Sequence, residues 1–484
     1  MNDPTTGRPM PQWVTLATLG AAVLTCALEI SMLFPSLPAI IRDFGDPAAV
    51  FWTVTIHYLT AASSVALSGR LGDLFGRKRV LLVVLALSVC GSLFSLNAST
   101  LVGLVIGRGI QGLSAAAIPL SFGLVRQTLP EARVPFGVGI VASVAPVVGG
   151  IGALIGGVLV DHASWRALFV VSAIAAALTI ALVYWVLPPA SRGARKQLDI
   201  IGGVLVPPAI AALLLAIHFA RGWGWVDVRT LGLCAAGVAV LAFWYRYELK
   251  HADPLIDVRL LSRRQIGIAN LGMALFGLGA LQNNQIFSIL LQQPAWTGAG
   301  FGVTATQTGM LFVPFIVVNM IGGPLSGRLA TRYGGRVPAL LGMCLTAIGW
   351  TALALEHSQL WFVMAMAYTQ CLGIAMLFAA LPNLVVEDSP SDRTSEATGV
   401  LSVVRQVAAS IGTQVIGFTL ATSTVIEAGS ATKYSTDAAF TLTMAFVAAV
   451  CVASVVVALM LPKRTHARVR AKTDVARRPG ASVR

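Results

Sequence analysis

The chain has 484 residues, 56% of them hydrophobic and 11% charged, with 34 Lys and Arg against 20 Asp and Glu, a net charge of +14 and a mean hydropathy of +0.80. Water-soluble proteins carry about a quarter charged residues, so a chain with less than half that fraction takes lipid as its main solvent. The basic residues punctuate apolar runs instead of forming one face, which excludes nucleic-acid binding, and there is no phosphate loop, paired-Cys zinc motif or nucleophile elbow to support an enzyme, a cofactor or a metal site.

Spanning helices need about 20 mostly apolar residues, and such windows recur from end to end, predicting an all-α membrane protein with about fourteen transmembrane helices. Residues 1–12 read as a polar N-terminal segment. The run Trp13 to Ile40 is too long for a signal peptide and lacks a small-residue cleavage site, so it is a retained helix. Val50 to Leu71, Val80 to Leu96, Leu101 to Leu129, Phe136 to Val160 and Trp165 to Leu187 complete a six-helix half over 13–190. A two-helix insert with its linkers occupies 191–260, with helices at Ile200 to Phe219 and Thr230 to Tyr247. The second half, 261–462, holds Ile266 to Leu291, Thr306 to Ala330, Val337 to Leu355, Leu360 to Val386, Ala397 to Thr424 and Ala438 to Leu461. A basic tail, 463–484, reads as disordered. The six cysteines are scattered singly through apolar stretches and read as small packing residues.

An even helix count puts both termini on one side. With these boundaries 27 of the 34 Lys and Arg fall on that side, five (Arg42, Arg166, Arg221, Arg229, Lys433) on the other, and Arg108 and Arg405 lie within helices. The positive-inside rule then predicts cytoplasmic termini in the cell's inner membrane. An internal repeat supports two halves. Gly69-Arg70-Leu71-Gly72-Asp73-Leu74-Phe75-Gly76-Arg77-Lys78-Arg79 follows the second helix, and Gly327-Arg328-Leu329 with Gly334 and Arg336 follows the tenth, at an offset of 258 residues. Parallel repeats of this kind build transporters with a substrate site between the halves near the membrane midplane.

With these motifs the sequence resembles the fourteen-helix drug:proton antiporters of the major facilitator superfamily, across nearly the whole chain. Gly69 to Arg79 is similar to the family's loop signature G-x-x-x-D-x-x-G-R-K. Leu28-Glu29-Ile30-Ser31 with Phe34, Leu37 and Pro38 is similar to the first-helix L-D-x-T-x-x-N-x-x-L-P, with Glu for Asp and Phe34 for Asn. Arg108 with Gln111-Gly112 resembles the fourth-helix R-x-x-Q-G, and Arg405-Gln406 with Gly412 the thirteenth-helix pattern. Gly152, Gly156 and Gly157 resemble the fifth-helix antiporter motif G-P-x-x-G-G without its Pro, and Asp161, Trp165, Arg166 and Phe169 fit the pattern just after it. The resemblance implies the major facilitator fold and proton-coupled efflux of amphiphilic or cationic compounds by rocking of the two halves. The alternative is an exporter of one metabolite, antibiotic or lipid on the same fold. Small-molecule cargo, protons and the bilayer are the expected partners, and a monomer is the expected state.

Glu29 is the one acidic residue well inside a helix. It lies 16 residues from Trp13 and 11 from Ile40, about 24 Å and 16 Å along a helix. A carboxylate at that depth must face a wet cavity, pair with a cation or hold a proton. It is either a proton carrier or a protonated acid bonded to a neighbouring helix. His57, on the second helix, stands at a similar depth and is either a relay partner of Glu29 or a satisfied histidine. Arg108 keeps its charge at any cellular pH, so it can hold a negative charge or backbone carbonyls. Asp73, among Arg70, Arg77, Lys78 and Arg79 with Gly69 and Gly76, reads as a latch to a helix of the other half or, more simply, as part of a topology anchor. Gly152, Gly156 and Gly157 give a small-residue face for a sliding or a static contact. In Gln282-Asn283-Asn284-Gln285 some amides must face a polar cavity, and Asn283 or Asn284 is a candidate substrate contact. Gln111 and Arg405 are further cavity candidates, Arg405 with a structural alternative, and Phe34, Trp52, Met310, Phe312 and Phe315 are candidate apolar walls.

Overall fold

The computed structural model describes residues 11–130, 133–188, 205–250, 263–389, 394–426 and 432–461. The expected N-terminal segment up to residue 10, the basic tail and most of both insert linkers lie outside these residues. Thirteen helices among the described residues are long and apolar enough to cross a bilayer. In chain order they are Gln12–Phe44, Pro47–Phe75, Arg77–Leu96, Leu101–Thr128, Phe136–His162 and Ala167–Val186, then Val228–Lys250, then Arg264–Gln292, Ala305–Tyr333, Arg336–Leu355, Leu360–Asp388, Ala397–Leu420 and Asp437–Leu459. The expected seventh helix is Val206–Trp223, between the sixth and the Val228–Lys250 helix. Ordinals below count all fourteen.

Side-chain caps mark the two ends of the bundle. At the end that carries residues 12 and 459, Arg133 donates to Gln12 (2.6 Å), Lys78 to the carbonyls of Tyr184 (2.8 Å) and Leu187, and Arg336 to the carbonyl of Leu459 (2.8 Å). Lys78 and Arg336 each begin one helix and satisfy orphan carbonyls at the end of another, as a helix terminus in a membrane requires. At the opposite, distal end the first helix narrows to a 3-10 turn at Phe34–Ser36, where Pro35 removes a donor. The ninth helix has a matching turn at Ala280–Gln282.

The thirteenth helix stops at Leu420, not at Thr424 as the hydropathy predicted. Strand β1 (Thr424–Ile426) instead pairs antiparallel with β2 (Lys433–Ser435), a distal hairpin built of β-branched and aromatic residues that favour a pleated surface. It is fastened by Gln293, which donates to the Ser435 carbonyl (2.6 Å), and by Trp296 edge-on to Tyr434.

The halves meet at the distal end. Gln292 of the ninth helix donates to the Pro35 carbonyl (2.9 Å), and Asp161 of the fifth accepts from the backbone N–H groups of Ala305 (3.2 Å) and Thr306 (2.7 Å) of the tenth. Gly157 and Gly309 bring the same two helices so close that an added Cβ would stand 2.1 Å from the Ala305 oxygen or 2.6 Å from Leu154 Cα. Toward the terminal end Gly139 and Gly149 of the fifth helix, and Gly323 and Gly327 of the tenth, have nothing within 4 Å of a Cβ position. The fifth and tenth helices are in close contact from Gly157 to Gly150, whose Cβ would stand 2.5 Å from Ile316, and helices two and thirteen stay packed through Ala62, Val400 and Val403. On its other flank the seventh helix covers the seam between the second and thirteenth: Val206, Ile210 and Leu214 pack with Trp52 and Leu59 on one side and Val407 and Ile411 on the other.

Candidate functional site

Glu29 is buried between helices one, three and four. Its carboxylate accepts from the hydroxyls of Ser88 and, at 2.7 Å, Ser114. Arg108 does not reach that carboxylate. Its Nη1 donates to the Glu29 backbone oxygen (3.1 Å) and to Gln111 Oε1 (2.7 Å), its Nε donates to the Thr53 carbonyl (3.3 Å), and its Nη2 has no partner. Gln111 passes the chain on to Ser92 (2.7 Å), which donates to the Ser88 carbonyl (2.8 Å). Close approach of the backbones makes this possible. A Cβ at Gly91 would stand 2.7 Å from the Gln111 nitrogen, and one at Gly112 would stand 2.4 Å from the His57 oxygen.

Of the three settings expected for Glu29, a wet cavity is not the one found in this conformer: the residue is 3% exposed and its carboxyl is bonded to neighbouring helices. No hydrogen bond joins it to His57 among the described residues. The His57 ring is buried beside Tyr58, with Nδ1 unpartnered. The aromatic wall candidates are corrected in the same way. Phe34 is in the main apolar core, Phe312 and Phe315 are buried and stacked on each other (5.0 Å), Trp52 is covered by His218 of the seventh helix, and Met310 points outward, 58% exposed. A ring's apolar surface is satisfied by any of these settings, so composition could not choose among them.

The amide run divides by face. Gln282 donates to the carbonyls of Gly277 (2.7 Å) and Ala409 (3.1 Å) and accepts from Thr413 (3.1 Å) and Gln285, which ties the ninth helix to the thirteenth. Asn283 is buried with both amide atoms unpartnered, and Asn284 is half-buried. Arg405 lies over the face of Phe378 (5.2 Å), and its backbone oxygen packs on Gly277.

In the loop motif Asp73 pairs with Arg77 four residues on (3.1 Å), within its own half, and among the described residues it has no ion pair to the other half. Arg77 lies across Gly72 and Gly123, Lys78 caps the sixth helix, and Gly76 holds φ +89, a conformation that favours glycine. Gly69 faces open space. In the fifth helix Gly152 and Gly156 pack on Ser31 and Met32 of the first helix, while Gly157 packs on Ala305 of the tenth.

A family model described as Major Facilitator Superfamily matches residues 19–413 and 273–482. The chain belongs to the Major Facilitator Superfamily. It is 30% identical over 427 residues to the tetracenomycin C resistance and export protein of Streptomyces glaucescens, covering 86% of this chain and 76% of that protein. It is 27% identical to the multidrug resistance protein Stp of Mycobacterium tuberculosis (85% of this chain, 76% of that one). It is 25% identical to the putative multidrug resistance protein MdtD of Serratia proteamaculans (93% and 92%). Among solved structures, the nucleoside transporter NupG superposes with a TM-score of 0.66 over 92% of this chain and 99% of that one at 10% identity, which supports the fold alone. The facilitator fold and its relatives are those of transporters, and the chain is a multi-pass membrane protein.

Two parts of this facilitator's site carry no signal strong enough to be named from sequence. Ser88 and Ser114 sit on different helices among many other small hydroxyls, and only folding brings them to one carboxylate. Asp161, noted only as fitting the family pattern, bridges the halves by capping the tenth helix across the boundary. A signal existed for it: an acid at the C-terminal end of a helix opposes the helix dipole and so needs a partner elsewhere, and Thr304 with Gln307 forms a capping box where that partner helix begins.

Proposed function

We propose that this facilitator is a proton-coupled exporter of amphiphilic small molecules, set in the plasma (inner) membrane with both termini in the cytoplasm. On this reading the distally shut structure is the cytoplasm-facing conformer, and the open glycine faces of helices five and ten beyond Gly150 border a vestibule from which cargo is loaded. The observation that carries the proposal is the Glu29 pocket. Serine hydroxyls both donate and accept, so Ser88 and Ser114 can satisfy the carboxyl with or without its proton. Arg108, anchored on the Glu29 backbone with a spare Nη2 donor, is positioned to offset the charge when the proton leaves. Protons then enter while the distal end is open and leave to the cytoplasm when the Glu29 pocket, sealed in this conformer, opens to that side, and the Asp161 and Gly157 contacts form and break once per cycle.

The test is efflux from vesicles holding the purified chain and a panel of fluorescent amphiphiles under an imposed pH gradient. The parent exports at least one dye at a rate that rises with the gradient, and Glu29→Gln loses that dependence. A variant that responds to the gradient as the parent does, or a parent that exports none, overturns the proposal. A second reading, export of one antibiotic or metabolite, is supported by the printed name of the Streptomyces relative. A resistance panel in a pump-deleted host separates it from broad efflux.

A further inference from the structure

The sign of the cargo's charge can be read from what lines the vestibule. A carboxylate would favour a cationic cargo, but Glu29 is sealed with both oxygens taken by serines. At the distal end Asp43 is held by Trp165 and Arg166, and Asp161 by the tenth helix. Arg405 presents the opposite case. It is partly exposed, no carboxylate lies within ion-pair distance among the described residues, and no hydrogen-bond acceptor is recorded for its guanidinium. Its one recorded partner is the ring of Phe378, which is itself fixed edge-on against Phe276 of the ninth helix (5.2 Å).

The surroundings place this group on the cargo's path. The twelfth helix is packed by the ninth, tenth, eleventh and thirteenth helices of its own half. Phe378 of that helix is 40% exposed, and on the proposed reading its open side belongs to the space between the halves. Tyr58 of the other half lies within electrostatic reach of Arg405. An arginine keeps its charge even where the dielectric is low, and one without a counter-ion at membrane depth is costly. Its planar fork offers paired N–H donors to an oxyanion while an aromatic ring supports its face.

We propose that Arg405 is the seat of an anionic oxygen, a carboxylate or phenolate, on the cargo, with the Phe378 ring supporting its guanidinium. The proposal rests on the vestibule being the cargo's path. It replaces a cation with an oxyanion as the favoured cargo.

Binding to detergent-solubilised protein without a pH gradient tests it, so failure of proton coupling does not affect the result. The probe is fluorescein, followed by fluorescence polarisation, and the competitors share one ring system: 2-naphthoate and 2-naphthylmethylammonium. In the unmodified chain, 2-naphthoate displaces fluorescein at a concentration at least tenfold below that of the ammonium compound. Arg405→Gln weakens fluorescein binding at least tenfold, Arg405→Lys weakens it less, and Phe378→Leu weakens it several-fold by freeing the guanidinium. The displacement comparison needs no variant, so a poorly folded Arg405→Gln does not remove the test. Absence of fluorescein binding, equal displacement by the two competitors, or a folded Arg405→Gln that binds within twofold of the parent overturns the proposal.

Discussion

Replacing Gly157 with Ala asks whether the distal contact between halves is a moving seal. A Cβ there would stand 2.1 Å from the Ala305 oxygen, where ordinary contact begins at 3.4 Å. Helices five and ten must part by about 1.3 Å, and because backbone rather than a swinging side chain has to give, the overpacking costs about 1–3 kcal/mol. The contact exists only while the distal end is shut, so the whole cost falls on that conformer and moves the equilibrium toward the distally open one by roughly 5- to 150-fold. Gly156→Ala is the internal comparison. Its Cβ would meet the Met32 oxygen at 2.4 Å, but Met32 belongs to the same half. That cost falls on every conformer, lowering thermal stability without moving the equilibrium. Spin labels at Ala163 and Met310, in a background without native cysteines, report the distal separation. Gly157→Ala is expected to populate a longer distance, and Gly156→Ala to keep the parent distribution. A folded Gly157→Ala with the parent distribution would refute the reasoning.

Three further substitutions follow from the same contacts. Asp161→Asn removes the charge that caps the tenth helix across the boundary, at a cost of about 0.5–2 kcal/mol to the shut conformer; the same spin-label pair should lengthen, and a parent-like distance counts against the latch. Gly76→Ala forces a side chain into φ +89 at a cost of about 1–3 kcal/mol, so the unfolding midpoint falls, whereas Gly69→Ala, which meets nothing within 4 Å, leaves it unchanged. Gln282→Leu strands the carbonyls of Gly277 and Ala409 and the hydroxyl of Thr413, and a loss of about 2–4 kcal/mol in denaturant unfolding is expected from the buried groups left unpaired.

Much of the fold was legible because lipid imposes a strict rule. Every backbone group must be satisfied within its own helix, so apolar length alone placed most helix ends to within a few residues. The thirteenth helix was overrun by Ala421 to Thr424, which hold no Gly or Pro to stop it, and Thr424 instead begins a strand that pairs with Lys433 to Ser435. Glu29 was legible as a lone acid, and Gly157 as part of a motif. The partners were not: Ser88, Ser114 and the Ala305 carbonyl are ordinary groups whose meaning comes from positions set by other helices. The aromatics failed for a related reason, since Phe34, Phe312 and Phe315 would have the same composition in a core as in a cavity.

The 258-residue repeat carries one lesson that neither half gives alone. At that offset Gly91 becomes Gly349, and both let an adjacent helix approach a glutamine: Gln111 in the first half, Gln370 in the second. Ser92 becomes Trp350, whose ring stacks nearly parallel on Phe287 of the ninth helix at 5.6 Å. The second half thus keeps the close glycine contact but sets an apolar pair beside it, and its Gln370 amide has no partner, whereas both ends of the Gln111 amide are bonded. A polar network in one half that gives way to ring stacking at the same level of the other distinguishes the two halves. On the proposed reading proton chemistry belongs to the first half, where both oxygens of the Glu29 carboxyl are held. On the same reading cargo is met in the second, where Arg405 lies over Phe378 without a carboxylate partner among the described residues.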